Sequence, residues 1–193
     1  MSESLTEHFE RFKKRILNPS FINECRTAGE VKYYIFDYDA KDELSVRKLI
    51  KNLAENYKDS SPEHSRVVVF DIYTILTTLL KEQKYLDKVF ANEERKSFEK
   101  IQNDIENFLS LTEEGENEIV EYIRQNTPEN CVVVLYGVGK CYPILSTHLI
   151  LNQLHQTFNS QPVILFYPGE YNEKFICEFG TVKTENYYRA YII

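Results

Sequence analysis

Four short, uninterrupted apolar runs, separated by stretches with helical periodicity, constrain the fold of this chain more than any other feature. The runs cover residues 33–36, 67–70, 132–135 and 163–166, and a fifth strand is predicted over residues 188–193. Strands that are apolar along their whole length are typical of parallel sheets covered on both faces. The pattern therefore predicts an α/β fold: a single three-layer domain over residues 1–193, with a mostly parallel five-stranded sheet and helices on both faces.

The stretches between these runs predict helices. The first helix carries one apolar face, which is formed by Leu5, Phe9, Phe12 and Ile16. It ends at Asn18, because Pro19 disfavours helical geometry in the residue before it. Other helices are predicted from Asp71 toward Phe90 and from Pro143 to about Phe158. Residues 92–130 are acidic and lack strand patterning, so they predict a helical insertion packed against the sheet.

The charge balance argues against a protein that binds nucleic acid over a broad surface. The formal net charge is −7, which provides no general positive field. A basic cluster over residues 11–15 is diluted by Glu7 and Glu10. A solvated helix face explains this cluster, and direct nucleic-acid binding through it is the least supported hypothesis.

The cysteines and the hydropathy pattern indicate a cytoplasmic protein. The four cysteines lie far apart, without metal-ligand spacing, at Cys25, Cys131, Cys141 and Cys177. This spacing predicts neither a zinc site nor a disulfide framework and fits a reducing compartment. No apolar run approaches the length of a membrane span, so no membrane partner is expected.

The segment LYGVGKCYP, residues 135–143, resembles a phosphate-binding loop because glycines and a lysine follow a strand. A Walker loop needs G-x-x-x-x-G-K-[ST], but Val134 stands five residues before Gly139, and Cys141 follows Lys140 where a hydroxyl should bind magnesium. The segment is therefore too short and lacks its magnesium ligand. Gly137 and Gly139 instead indicate a tight strand-to-helix turn, because glycine permits backbone angles that side chains forbid.

Three other active-site patterns fail at the same segment. Tyr142 replaces the third glycine of a dinucleotide-binding fingerprint, and Val138 stands where a nucleophile elbow needs serine. Cys141 and His148 are seven residues apart, or roughly 10 Å along a helix, which is too far for a catalytic dyad. We interpret the segment as a turn into a buried helix that begins at Pro143.

The sequence FDYD at residues 36–39 supports a competing hypothesis. Phosphatases of the haloacid-dehalogenase type begin with an apolar strand that ends in D-x-D-x-[TV], and Asp37 and Asp39 fit its two carboxylates. Lys41 replaces the Thr or Val, and only Asp71 follows the second strand. Asp39 and Asp71 also suit helix N-caps, so the carboxylates have a structural explanation.

Tyrosines concentrate near the end of the chain. They flank Glu170 at Tyr167 and Tyr171, and they precede Arg189 at Tyr187 and Tyr188. Tyrosine combines apolar area with a hydrogen-bonding tip and suits protein interfaces. In a chain without tryptophan, the same residues also suit the edge of a core. Both interpretations stay open.

Read in order, several segments resemble the BrxB family, a component of bacteriophage exclusion (BREX) systems. These segments are FDYDAKDELSVRKLI, LYGVGKCYPILSTHLILNQL, VILFYPGEYNEKF and ENYYRAYII. The likeness covers nearly the whole chain, apart from about residues 81–130. The glycine turn with its helix, FYPGEY and NYYRA are its most specific parts.

The resemblance implies a bacterial, cytoplasmic phage-defence protein that works beside a methyltransferase, an AAA-type ATPase and a PglZ-type phosphatase-like protein. It brings no catalytic set, cofactor or metal. We therefore expect a non-catalytic adaptor for other BREX proteins, with a PglZ-type protein as its partner and DNA associated only indirectly through the complex.

The residues expected to form the interaction surface cluster at strand ends, where ligands of open α/β sheets bind. They are Asp37, Asp39, Gly137, Gly139, Lys140, Tyr142, His148, Tyr167, Glu170, Tyr171, Tyr187, Tyr188 and Arg189. The alternative is a divergent nucleotide or magnesium-phosphate site, built from Asp37, Asp39, Asp71 and residues 137–140.

Overall fold

The computed structural model describes residues 4–26, 33–111, 117–145, 147–157, 161–171, 176–178, 182–184 and 190–193. The chain divides into two compact units. Unit 1 comprises residues 1–69, 127–136 and 158–193, and unit 2 comprises residues 70–126 and 137–157. A single domain over residues 1–193 stays a prediction.

Unit 1 contains the sheet. Its described α-helices are α1 (Leu5–Leu17), α2 (Phe21–Cys25) and α3 (Glu43–Asn56), and a 3-10 turn at Ala40–Asp42 precedes α3. The strands are β1 (Tyr33–Tyr38), β2 (Arg66–Asp71), β3 (Cys131–Tyr136), β4 (Val163–Tyr171), β5 (Ile176–Glu178), β6 (Val182–Thr184) and β7 (Ala190–Ile192). β2 continues to Asp71, two residues beyond the boundary of unit 1.

The central sheet is parallel, with the strand order β2-β3-β4-β1-β7. Ile35 on β1 pairs with Leu165 on β4 and with Ile192 on β7, and both pairings are parallel. The far end of β4 pairs antiparallel with β5, and β5 pairs antiparallel with β6. The predicted α/β class and five-stranded parallel sheet are confirmed, whereas the short β5 and β6 were not predicted.

Aromatic packing dominates the core of unit 1. The rings of Phe36 and Phe166, on neighbouring strands, stack with centroids 4.6 Å apart. Phe12 on α1 lies edge-on to both rings, at 5.1 Å from Phe36 and 5.2 Å from Phe166. These contacts fix α1 against the sheet, as the apolar face of that helix predicts.

The ends of α1 follow local rules. Ser4 and Glu7 form a capping box, in which the Ser4 hydroxyl accepts from the Glu7 backbone N–H and Glu7 accepts from the Ser4 N–H. The helix ends at Leu17, with Asn18 as its C-cap. The predicted first helix is confirmed, and it ends at its C-cap Asn18 as expected.

Unit 2 is helical in its described part. Its α-helices are α4 (Ile72–Glu82), α5 (Leu86–Glu93), α6 (Phe98–Phe108), α7 (Glu118–Gln125) and α8 (Thr147–Thr157). The prediction of one helix from Asp71 toward Phe90 was wrong. Lys84 adopts a left-handed φ of +56°, which ends α4 and starts a separate α5.

The prediction that the helix after the glycine turn begins at Pro143 was also wrong, because α8 begins at Thr147. Residues 138–140 form a 3-10 turn, and Leu145 N–H then donates to Cys141 O. The second of these turns, residues 141–145, includes the residues where we expected the helix to begin. In the described ranges, none of the helices is both long and apolar enough to cross a membrane.

Candidate functional site

The glycine turn after β3 is built around Gly137. Its φ is +82°, a left-handed value that residues with a Cβ rarely adopt. The 3-10 turn Val138–Lys140 follows, and Lys140 N–H donates to Gly137 O at 3.1 Å. The predicted tight turn is confirmed. The turn holds the Lys140 side chain against Asp71.

Lys140 forms an ion pair with Asp71 inside unit 2. Its Nζ lies 2.7 Å from Asp71 Oδ1 and 2.6 Å from Oδ2, and both side chains are largely covered. Nζ also lies 5.2 Å from the ring centroid of Tyr73, which is close enough for a cation–π contact. The aspartate and the lysine that the sequence suggested for phosphate and magnesium therefore bind each other.

Asp71 also caps α4, because Oδ1 accepts from the Tyr73 backbone N–H at 3.1 Å. The predicted N-cap role of Asp71 is confirmed. A Cβ on Gly137 would lie only 2.4 Å from Asp71 Oδ1 and 2.8 Å from Lys140 Cε. Glycine is needed at position 137 both for its backbone angle and for room beside this ion pair.

The arrangement does not suit phosphate binding. A phosphate loop presents backbone amides and an uncompensated lysine charge to its ligand. Here the Asp71 carboxylate neutralises Lys140, and Lys140 N–H is used within the turn. Gly139 lies within the same 3-10 turn.

Cys141 has the environment of a structural thiol. It is buried, its Sγ lies 3.7 Å from Gly137 O, and burial raises the pKa of its thiol to about 12. A catalytic cysteine needs a lowered pKa, since the thiolate is the nucleophile. The side chain of His148 lies outside the described residues.

The two aspartates at the end of β1 make separate structural contacts in unit 1. Asp37 Oδ2 accepts from Tyr171 N–H at 3.1 Å, which ties the end of β1 to the end of β4. Asp39 accepts from Lys41 N–H at 3.1 Å and from Lys41 Nζ at 2.6 Å. These hydrogen bonds from Lys41 hold the pKa of Asp39 below its usual value. The N-cap interpretation of Asp39 is confirmed, and the capped element is the 3-10 turn before α3.

A polar cluster that sequence reasoning missed lies next to these aspartates. The buried Tyr38 hydroxyl donates to Glu43 Oε2, and Arg47 Nε donates to Glu43 Oε1 at 2.7 Å. Burial, followed by the hydrogen bond to Glu43, raises the pKa of Tyr38. The four-residue spacing of Glu43 and Arg47 on a helix was the available signal for the ion pair.

The tyrosines of FYPGEY lie in the core, in line with the second of the two interpretations left open by the sequence, and are not exposed at the expected surface. Residues 167–171 continue β4, and Tyr167 and Tyr171 are each 3% exposed. The strand continues because Tyr38 pairs with both Pro168 and Gly169 across a bulge and β5 covers the next residues. Glu170 is exposed.

Tyr171 has a second structural role. Its hydroxyl donates to Ala190 O at 2.9 Å, which fixes the start of β7. Tyr187, Tyr188 and Arg189 lie outside the described residues, so their place in the expected surface stays a prediction. Ala190–Ile192 confirms the described part of the predicted fifth strand.

The basic cluster on α1 is partly used within unit 1. Lys13 pairs with Glu10 at 2.6 Å. The Arg15 guanidinium lies 5.9 Å from the Phe21 ring centroid and 5.4 Å from that of Tyr34. Lys13 and Arg15 therefore make contacts within unit 1, which reduces the positive charge available to bind a nucleic acid.

Titratable side chains do not converge on a metal centre in the part of the chain that the structure describes. No group of three or more His, Cys, Asp and Glu side chains there is placed to hold a metal ion. In unit 2, large apolar side chains are exposed at Tyr73, Phe90, Phe98 and Tyr142. Of these, only Tyr142 was among the expected surface residues.

The comparisons with known proteins agree on one family. The family model described as BREX protein BrxB matches residues 68–193. A BREX protein BrxB of Bacillus cereus (strain H3081.97) is 36% identical over 187 residues, covering 97% of this chain and 96% of the relative. A BREX protein BrxB of Escherichia coli O9:H4 (strain HS) is 23% identical over 189 residues, covering 97% of this chain and 90% of the relative.

No solved structure gives a significant match to the chain. The family model covers more than half of the chain, and the Bacillus relative matches almost end to end. The resemblance inferred from the glycine turn, FYPGEY and the terminal tyrosines is therefore confirmed. The chain belongs to the BrxB family, which is part of BREX phage-defence systems.

Proposed function

We propose that the chain is a non-catalytic adaptor of a BREX system and that it holds a PglZ-type protein. One observation carries this proposal: within the described part of the chain, the aspartates and the lysine suggested for chemistry are engaged in structural contacts. Lys140 pairs with Asp71, and Asp39 pairs with Lys41. A catalytic lysine or aspartate would instead need an uncompensated charge aimed at a substrate.

Binding requires exposed side chains, and among the expected surface residues whose side chains the structure describes, three have them. Asp39 and Glu170 are exposed in unit 1. Tyr142 is 48% exposed in unit 2. Tyrosine is enriched at interfaces, and charged residues at their rim set the choice of partner. The adaptor acts in the bacterial cytoplasm, and DNA associates with it only through its partners.

The adaptor role can be tested by purifying the tagged chain from cells that express the whole BREX system. We expect the PglZ-type protein to be retained in a fixed ratio. Glu170→Lys should reduce retention, whereas Glu63→Lys, an exposed charge reversal elsewhere in unit 1, should not. Recovery of the chain alone, as a free monomer, would contradict the proposal.

The alternative, a nucleotide or magnesium-phosphate site at the glycine turn, predicts stabilisation by ligand. A nucleotide at 100 times its Kd would stabilise the fold by about 2.7 kcal/mol. We expect no shift in the unfolding temperature with ATP, GTP or dinucleotides in the presence of magnesium. A shift that disappears in Lys140→Met would favour the alternative over the adaptor.

A further inference from the structure

Unit 2 exposes aromatic rings beside a buried stripe. On α6, Ile101 and Ile105 are buried, at 9% and 3% exposed, whereas Phe98 is 59% exposed. Phe98 lies three residues before Ile101 and so continues the same helical stripe. Tyr142 and Tyr73 are 48% and 43% exposed. Exposed apolar side chains that lie together mark protein interaction sites more often than scattered ones do.

Contacts within unit 2 link the segments that carry three of these rings. Gln102 Nε2 donates to Pro143 O at 3.1 Å, which joins α6 to the segment that carries Tyr142. Phe98 lies one helical turn before Gln102, on the same side of α6. Lys140, two residues before Tyr142, lies over the ring of Tyr73. We call Phe98, Tyr142 and Tyr73 the aromatic surface.

The charge near the aromatic surface is negative. Glu99 and Glu106 lie three residues before and four residues after Gln102, on the side of α6 that faces residues 142–143. Two of the cations nearby are compensated, because Lys140 binds Asp71 and Lys96 binds Asp104.

Unit 2 as a whole is also acidic. It contains 13 Asp and Glu residues and 8 Lys and Arg residues, and therefore carries five of the seven net negative charges of the chain. A cationic partner is therefore attracted to this unit at long range and meets two carboxylates at the aromatic surface.

From this combination we propose that the aromatic surface binds a basic amphipathic helix of a partner protein. The apolar side chains of the helix, spaced three or four residues apart, pack between Phe98 and Tyr142. Its Lys and Arg residues reach Glu99 and Glu106. The proposal rests on the adaptor role and specifies the chemistry of the partner segment.

Site-specific photo-crosslinking tests the proposal in the intact protein. The probe p-benzoylphenylalanine replaces Phe98 or Tyr142 in cells that express the whole BREX system. The matched control is Ile192, which is 46% exposed on β7 in unit 1. Crosslinked segments are identified by mass spectrometry. Because Phe98, Tyr142 and Ile192 are all exposed, the replacements should leave the fold intact.

We expect adducts from positions 98 and 142 to one protein segment that is net positive and has helical apolar spacing. Adding Glu99→Lys to the probe at position 98 should lower the adduct yield by about threefold or more, because like charges would then meet. The Glu63→Lys change in unit 1 should leave the yield unchanged.

Four outcomes overturn the inference. An adduct to an acidic or uncharged segment, or to a second copy of this chain, refutes the basic helix. Adducts at position 192 but not at 98 or 142 refute the aromatic surface and leave the adaptor role intact. An adduct yield that Glu99→Lys leaves unchanged refutes the attraction between the basic helix and the carboxylates of the aromatic surface. If no position gives an adduct, and the purification described above also retains no partner, the adaptor role and the aromatic surface fail together.

Discussion

Gly137→Ala is the substitution whose effect follows most directly from the structure. Alanine at φ +82° costs about 1–2 kcal/mol, because its Cβ approaches the following carbonyl oxygen. The new Cβ would also lie 2.4 Å from Asp71 Oδ1, so Asp71 must move. That movement weakens two interactions of Asp71. The N-cap of α4 contributes about 1 kcal/mol to stability, and the partly covered ion pair with Lys140 contributes about 1 kcal/mol.

Together these effects lower the free energy of unfolding by about 2–4 kcal/mol. The measurement is urea-induced unfolding followed by circular dichroism, because the chain has no tryptophan. Gly139→Ala is the control, since Gly139 lies inside the 3-10 turn, whose backbone angles alanine can adopt. The reasoning is refuted if Gly137→Ala stays within about 0.5 kcal/mol of the wild type, or if Gly139→Ala is equally destabilised.

Three further predictions concern the core, β7 and Cys141. Phe12→Ala should lower the free energy of unfolding by about 3–5 kcal/mol, because Phe12 is only 1% exposed. The control is Leu44→Ala in the same urea titration. Leu44 is 70% exposed, so this change should alter the free energy of unfolding by less than about 0.5 kcal/mol. Tyr171→Phe removes the hydrogen bond to Ala190 O and should lower the free energy of unfolding by about 1 kcal/mol. The amide hydrogen of Ile192 on β7 should then exchange faster. Unchanged exchange would show that the hydroxyl does not hold β7. Cys141 should react with iodoacetamide at pH 8 more than about 100-fold more slowly in the folded chain than in urea, because burial raises the pKa of its thiol to about 12; equal rates would contradict this. The unfolded thiol ionises near pH 8.5 and the folded one does not, so the contribution of Cys141 to stability should fall as the pH rises above about 8.5.

The spacing of apolar residues predicted those strands and helices whose own sequence determines which side chains are buried. Residues 132–135 and the apolar face of α1 were identified correctly. A continuous apolar run, or apolar residues at helical spacing, fits few structures other than a buried strand or an amphipathic helix. The N-cap roles of Asp39 and Asp71 followed from local hydrogen bonding alone.

The errors came where distant residues decide the local structure. FYPGEY contains proline and glycine, which are common in turns, but β5 pairs with residues 169–171 and keeps them in a strand. The sequence left Tyr171 open between an interface and the core, and in the structure it is buried, with its hydroxyl bound to Ala190 O. The Lys140–Asp71 pair joins residues 69 positions apart, and no spacing rule could have found it. Helix α5 is separate because one residue, Lys84, adopts a left-handed angle.

Phage protection by two kinds of variant tests most directly whether the chain binds or catalyses. The first variant combines Asp71→Asn with Lys140→Met, which removes both charges together and keeps a side chain that can cap α4. The second combines Phe98→Ser with Tyr142→Ser, which removes two exposed rings. The efficiency of plating is measured at matched cellular levels of the chain. An adaptor predicts wild-type protection from the first variant and loss of protection from the second. Loss from the first with full protection from the second would contradict the account.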